Sequence, residues 1–292
     1  MPQKQHATRI FAIFMLVFSM AAIWALLWAG MFTKVIGVVL ACFAMALVVV
    51  LLAFMVGVRR KRWDGIDVAW GYAGAVIAVT SLFLHQGPTG ILQWLVTFAG
   101  VLWGVRLGTM ILLRQRGTNK QDPRYTKLIA SWKNQTPRNV FFRIYLVQAV
   151  LITIVTVPII HINTIHGATF GFLSVFGLLL WVAGFVVEVV ADHQLAQFKK
   201  LSTNRRPEIC ATGLRRYSRH PQYFGELAQW WGLAIVSLGT PYGWVGLLGA
   251  VLITYVIVYI SGVPLAEERL ATKKGWQAYK KSTNVLVPIV LR

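Results

Sequence analysis

VIGVVLACFAMALVVVLLAFMV, residues 35–56, carries no charged side chain and is closed on its C-terminal side by Arg59, Arg60, Lys61 and Arg62. A helix rises 1.5 Å per residue, so this run is long enough to cross a hydrocarbon layer about 30 Å thick. The same pattern recurs outward from it in both directions. Spans are expected at about 9–30, 34–58, 67–85, 90–113, 139–161, 168–198, 222–240 and 242–264. Charged residues make up 13% of the chain, against about 25% in a soluble domain. Only helices that satisfy their own backbone cross lipid cheaply, so the expected fold is all-α, a polytopic transmembrane bundle of about eight spans. The first apolar core, Ile10 to Phe32, has no small-residue cleavage site and reads as a retained helix. The sixth span exceeds one crossing, so its last turns should project into water. The seventh and eighth are separated only by the turn TPYG (240–243).

The net charge of +20 suggests nucleic acid, but its placement excludes that reading. Lys34 alone falls in an outer loop and Arg106 alone lies well inside a span. Every other Lys and Arg sits at the N-terminus, around 59–62, 114–143, 199–219 or 269–292, which are alternate connections in the eight-span order. Basic residues accumulate on the cytoplasmic side, so both termini should be cytoplasmic and the basic loops should face anionic membrane lipid. All nine acids gather on that same side: Asp64, Asp67, Asp122, Glu188, Asp192, Glu208, Glu226, Glu267 and Glu268. The chemistry should therefore lie on one face. Cys42 and Cys210 form no disulfide framework or metal signature, and no glycine-rich nucleotide loop, zinc-helix or nucleophile-elbow motif occurs.

Two segments concentrate polar groups. EVVADHQLAQFKK (188–200) places Glu188, Asp192 and Lys199 along one helical stripe. Acids in a membrane helix should face protein or water. The stripe suits either a packing pair held by a neighbouring arginine or a polar binding cavity. RYSRHPQYFGELAQWWG (216–232) begins a helix at Pro221, whose missing N–H is no loss at a first turn. Arg215, Arg216 and Arg219 precede that helix start, where guanidinium forks and free amides suit phosphate oxygens. Gln222, Glu226 and Gln229 share one face; Gly225 admits a close helix or a flat ligand; Tyr223 and Trp230 offer aromatic surface. Snorkelling arginines and interfacial tyrosines are an equal alternative. His220 reads as a capping or interfacial residue ahead of a proton shuttle. In the tail, Leu270, Trp276 and Tyr279 alternate with lysines as in a surface-lying amphipathic segment.

The string GLRRYSRHPQYFGELAQWWG (213–232) resembles the signature GL-x-x-x-SRHP-x-YFGE-x-x-x-WWG of a bacterial membrane family in the steroid 5-alpha-reductase superfamily. IDVAWG (66–71), WGVRL (103–107), DPRY (122–125), E-x-x-AD-x-QL-x-x-FK (188–199) and a tail with Glu267, Tyr279, Thr283 and Pro288 follow in the family's order. The resemblance implies a domain over 66–288, with residues 1–65 outside it, substrate-side helices over 66–161 and cofactor-side helices and loops over 168–288. It implies an integral reductase in the inner (plasma) membrane of a bacterium. Such an enzyme uses NADPH to reduce a carbon–carbon double bond conjugated to a carbonyl in a hydrophobic lipid, steroid-like or isoprenoid substrate. Carried over, Glu188, Asp192 and Lys199 line the nucleotide pocket, and Tyr217, Arg219, Gln222, Tyr223 and Glu226 continue it. Arg215, Arg216, His220, Glu268 and Arg269 complete the candidate set. Gln222 replaces the family's usual asparagine. Trp103 stands where the superfamily's proton-donating tyrosine aligns, which leaves Arg106 and Asp67 as the catalytic candidates.

Two competing readings are weighed against this one. Arg219, His220, Pro221, Tyr223 and Gly225, followed by Glu267, Glu268, Leu270, Gly275, Tyr279 and Pro288, also resemble membrane isoprenylcysteine and phospholipid methyltransferases that use S-adenosylmethionine. The acid-bearing stripe and the arginines at 215–219 suit a dinucleotide's phosphates better than a cationic methyl donor. A non-catalytic lipid-binding or transport protein is disfavoured because no span pair shows matched Gly/Pro breaks at mid-membrane.

Overall fold

The computed structural model describes residues 32–85, 88–118, 120–165, 168–201 and 207–288. The span expected at 9–30 lies outside the described residues. The structure is 78% helical with no strand among the described residues, and six helical stretches are long and apolar enough to cross a membrane. The protein is an integral multi-pass membrane protein. Those six correspond to the expected second to sixth and eighth spans. The expected seventh is also a helix, Pro221–Leu238, but it does not count among the six. Its Gln222, Glu226 and Gln229 are too costly for a lipid-facing crossing.

The chain divides into two compact units, residues 1–170 with 237–248, and 171–236 with 249–292. In the first unit α1 (Phe32–Arg60), α2 (Gly65–Phe83) and α3 (Ile91–Arg116) lead to the short α4 (Pro123–Ala130). The chain then forms α5 (Pro137–Val155) and α6 (Val157–Thr164). The break between the last two falls at Pro158, which cannot donate to the preceding turn. A π-turn at Phe141–Tyr145 interrupts α5, and the Tyr145 hydroxyl donates to the Trp63 carbonyl at 2.9 Å.

Small residues let α2 lie close to its neighbours, as lipid supplies little hydrophobic drive between helices. Ala69, Gly71, Ala73, Gly74, Ala75 and Ala78 are buried along it. One polar knot adds direction: the buried Asn163 amide donates to Ser81 Oγ and Thr97 Oγ1, both at 2.9 Å, joining α6 to α2 and α3. The turn read at TPYG is present, with Tyr242 at φ 57° and the Gly243 carbonyl accepting from Ser237 Oγ at 2.8 Å.

The second unit contains α7 (Phe172–Lys200) and most of α8 (Pro221–Leu238). It continues through α9 (Leu247–Tyr255, entered at Gly249), a second π-turn (Val256–Ile260), α10 (Val263–Leu270) and α11 (Trp276–Ser282). At 29 residues α7 is about 44 Å long, more than a hydrocarbon layer needs. Two glycine pairs set the contact between α7 and α8: Gly177 meets Gly232 and Gly184 meets Gly225. Because both pairs are spaced seven residues apart and run in opposite directions, they fix an antiparallel register. A helix, and not a flat ligand, occupies the space that Gly225 leaves.

Candidate functional site

Residues 213–220 form a loop that is held from four directions. Gly213 turns at φ +63°, a conformation glycine reaches at little cost, and brings the Leu214 amide to Gln194 Oε1 at 2.9 Å. That bond ties the loop to α7, between Asp192 and Lys199. Arg215 is buried; its Nη1 donates to the Arg219 carbonyl and its Nη2 to Gln222 Oε1 on α8, both at 2.8 Å. The Arg215 carbonyl accepts from the Tyr279 hydroxyl at 2.6 Å.

Arg219 is buried in the next layer. Its Nε donates to Glu267 Oε1 at 2.8 Å and its Nη2 lies 2.6 Å from the same oxygen. Nη1 donates to the carbonyls of Lys280 and Thr283, and the guanidinium lies 5.7 Å from the centre of the Trp276 ring. The Arg219 and His220 amides donate to the Asn284 and Val285 carbonyls at 2.8 and 3.1 Å. Residues 283–285 thus lie as a strap across the start of α8. The tail does not lie on the surface as its amphipathic pattern suggests. Trp276 and Tyr279 are buried with Ile209, because the loop offers them both apolar cover and a carbonyl acceptor.

His220 is buried, stacks on Tyr223 and stands 3.7 Å from Glu267. Burial, reinforced by the Arg215 charge and opposed by Glu267, pushes its imidazole down to about 4. It is neutral at physiological pH. Deeper along α8, Gln229 Nε2 donates to the buried Glu188 at 2.7 Å. Part of the polar stripe therefore joins α7 to α8. The remaining candidates present themselves outward: Lys199, Arg216, Tyr217, Glu268 and Arg269 are exposed, and Asp192, Tyr223 and Glu226 are half-buried.

One feature of this loop points to a missing partner. Among the described residues the buried Arg215 Nε, His220 Nε2 and Gln229 Oε1 have no hydrogen-bond partner. An unmatched guanidinium N–H costs on the order of 1–3 kcal/mol or more.

The first unit holds the other candidates. Asp67 accepts from Arg124 Nη2 at 2.6 Å and from the Tyr125 hydroxyl at 2.5 Å. Burial and the adjacent Asp67 charge hold the Tyr125 phenol well above its ordinary range. Asp122 caps α4 by accepting the Arg124 amide at 2.9 Å, and its own amide donates to Asp64. The DPRY motif is the fastening that docks the 116–139 connection onto α2. Trp103 is buried against Gly74, and Arg106 lies half-buried on α3. Sequence reasoning did not single out Tyr125 as Asp67's partner or Gln194 as the loop's tether. Both stand inside motifs quoted above, DPRY and AD-x-QL, but the pairings they make are long-range.

Residues 53–283 match a family described as a protein of unknown function, DUF1295. Among curated proteins the chain is similar to 3-oxo-5-alpha-steroid 4-dehydrogenase 1 of Macaca fascicularis, 29% identical over 41% of each chain. The enzyme of the same name from Rattus norvegicus is 30% identical over 39% of this chain and 41% of its own. The matched region spans about two fifths of the length of these relatives. No solved structure matches. With more than half its length inside the match, the chain belongs to the DUF1295 family, which is steroid 5-alpha-reductase-like.

Proposed function

We propose that the protein is a membrane-embedded, NADPH-dependent reductase of a double bond conjugated to a carbonyl in a hydrophobic, steroid-like or isoprenoid lipid. Family membership and the relatives' names support the reaction class, since a 3-oxo-steroid 4-dehydrogenase acts on the bond next to a ketone. The observation that carries the cofactor half is the acceptor-less Nε of buried Arg215, whose two terminal nitrogens are already bonded to the Arg219 carbonyl and Gln222. A dinucleotide phosphate fits that donor set. Arg216, Lys199 and Arg269, all exposed, add cationic contacts, and Tyr217, Tyr223, Glu226, Asp192 and Glu268 add ring faces and acceptors for ribose hydroxyls. Arg219 serves this site by holding the strap, and His220, neutral, by filling the turn beneath it. Bound NADPH would supply the hydride. Arg106 would stabilise the substrate oxygen on which negative charge develops, and Asp67 orders the substrate-side loop.

The test is thermal unfolding of detergent-purified protein titrated with NADPH, NADH and S-adenosylmethionine. A ligand that prefers the folded form stabilises it by mass action, and NADPH should do so most strongly. Arg216→Ala should weaken NADPH binding without lowering the basal transition, and the weakening should shrink as salt rises. Arg219→Ala should also lower the transition itself, since it removes the closest cation of Glu267 and two bonds to the tail's carbonyls. Stabilisation by S-adenosylmethionine alone would replace this reading with the methyltransferase one.

A further inference from the structure

The first unit contains a cavity of about 280 Å³ at the end of α1, where α2 begins and α3 ends. Its walls change character with depth. Leu52, Ala53 and Val56 of α1, Val68 of α2 and Leu112 of α3 form an apolar side, while Arg60, Arg62, Asp64, Gln115 and Arg116 form the rim. Leu52 and Arg60 are eight residues apart, so the passage from hydrocarbon-like wall to cationic rim takes about 12 Å along the helix.

The charges at the rim are not equivalent. Arg62 is committed: its Nε and Nη2 donate to Asp64, at 3.3 and 2.9 Å, and its Nη1 to the Thr118 carbonyl at 2.7 Å. Asp64 is buried and neutralises it. Arg60 and Arg116 are exposed, with no ion pair among the described residues. The rim thus carries two uncommitted positive charges above an apolar cleft. Its Gln115 amide donates to the Asp64 carbonyl, which keeps the rim rigid. The volume lies just below the usual range for small-molecule sites, about 300–1,000 Å³, and is too small for a dinucleotide. Leu52 and Val56 remain substantially exposed on the lipid-facing side of α1, so a longer apolar chain can continue along that helix.

We infer that this cleft is a specific site for an anionic phospholipid of the basic-loop leaflet, its headgroup phosphate held by Arg60 and Arg116 and its first chain carbons seated against Val56, Val68 and Leu112. A free phosphate would leave the apolar wall wet, and a zwitterionic lipid would bring its own cation against two arginines.

The test uses the full chain in nanodiscs of equal phosphatidylcholine and phosphatidylglycerol, read by native mass spectrometry of the lipid retained on release. Wild type should retain one phosphatidylglycerol, enriched about thirtyfold over the bulk ratio, the worth of two basic contacts. The Arg60→Gln/Arg116→Gln double variant, altered only at exposed side chains, should return to the bulk ratio. Val56→Trp, which fills the apolar wall and leaves both arginines, should also lose the lipid. Glycerol 1-phosphate, which offers the phosphate without a chain, should not displace it. Undiminished retention in the double variant, retention in Val56→Trp, or displacement by glycerol phosphate would each overturn the assignment.

Discussion

Substituting one glycine by alanine should have opposite effects at two helical positions of this protein. In a helix interior the change is favourable by about 1 kcal/mol on propensity alone. At Gly225 the packing opposes it. A Cβ there would lie 2.5 Å from the Gly184 carbonyl oxygen, 2.8 Å from the Glu188 amide and 3.0 Å from Glu188 Cβ. The first two are backbone atoms of α7, so the helices must part by several tenths of an ångström. Overpacking of this kind costs about 1–3 kcal/mol. The separation also stretches the buried Gln229–Glu188 bond, now 2.7 Å. A hydrogen bond to a charged group is worth about 1.5–3 kcal/mol. The net expectation for Gly225→Ala is a loss of about 1.5–5 kcal/mol, propensity included. Gly37 on α1 has no atom within 4 Å of where its Cβ would sit, so Gly37→Ala should retain the full propensity gain. Thermal unfolding of the two variants in the same detergent reads the difference directly, with the midpoint falling in one and rising or holding in the other. If Gly225→Ala rises alongside Gly37→Ala, α7 and α8 are not in backbone contact and the register argument is wrong.

Tyr125→Phe removes the hydroxyl donated to Asp67 while leaving Arg124 in place. It should destabilise the fold by about 1–3 kcal/mol and speed proteolysis within 116–139, with NADPH affinity unchanged; full stability combined with lost turnover would instead make the phenol a reacting group. His220 gives a pH dependence. Its buried imidazole titrates near 4, against an ordinary 6.5. The unfolded chain therefore binds this proton first, and the stability that neutral His220 contributes above pH 6.5 should be lost as pH falls toward 4. His220→Gln should flatten that part of the midpoint-versus-pH curve, and an unchanged slope would refute the assignment.

The membrane architecture was legible because hydropathy and charge placement act over whole segments. Span length needs only a count of apolar residues, and the length of α7 follows from that count. The start of α8 at Pro221 and the cap at Asp122 were legible for a different reason, since each is decided by one or two neighbouring residues. What lay beyond reach was pairing. Gln222, Glu226 and Gln229 share a face in any helix, but sequence spacing does not reveal that Gln222 turns to Arg215 while Gln229 turns to Glu188. The same holds for Arg219. Three arginines before a helix start look alike on paper, yet one is exposed, one is buried with an unmatched N–H, and one is enclosed by Glu267 and the tail. The alternation of Leu270, Trp276 and Tyr279 with lysines suggests a surface-lying segment, but an amphipathic face seeks apolar cover and protein meets that need here.

The strap of residues 283–285 also dictates an order of assembly. The turn that it fastens is synthesised more than sixty residues earlier, so α8 is made before its own entrance can be completed. Until those late carbonyls arrive, the Arg219 amide lacks its acceptor and the His220 amide keeps only the Ser218 hydroxyl. A nascent chain that stalls short of Thr283 would therefore possess all six described apolar helices and still lack a finished mouth.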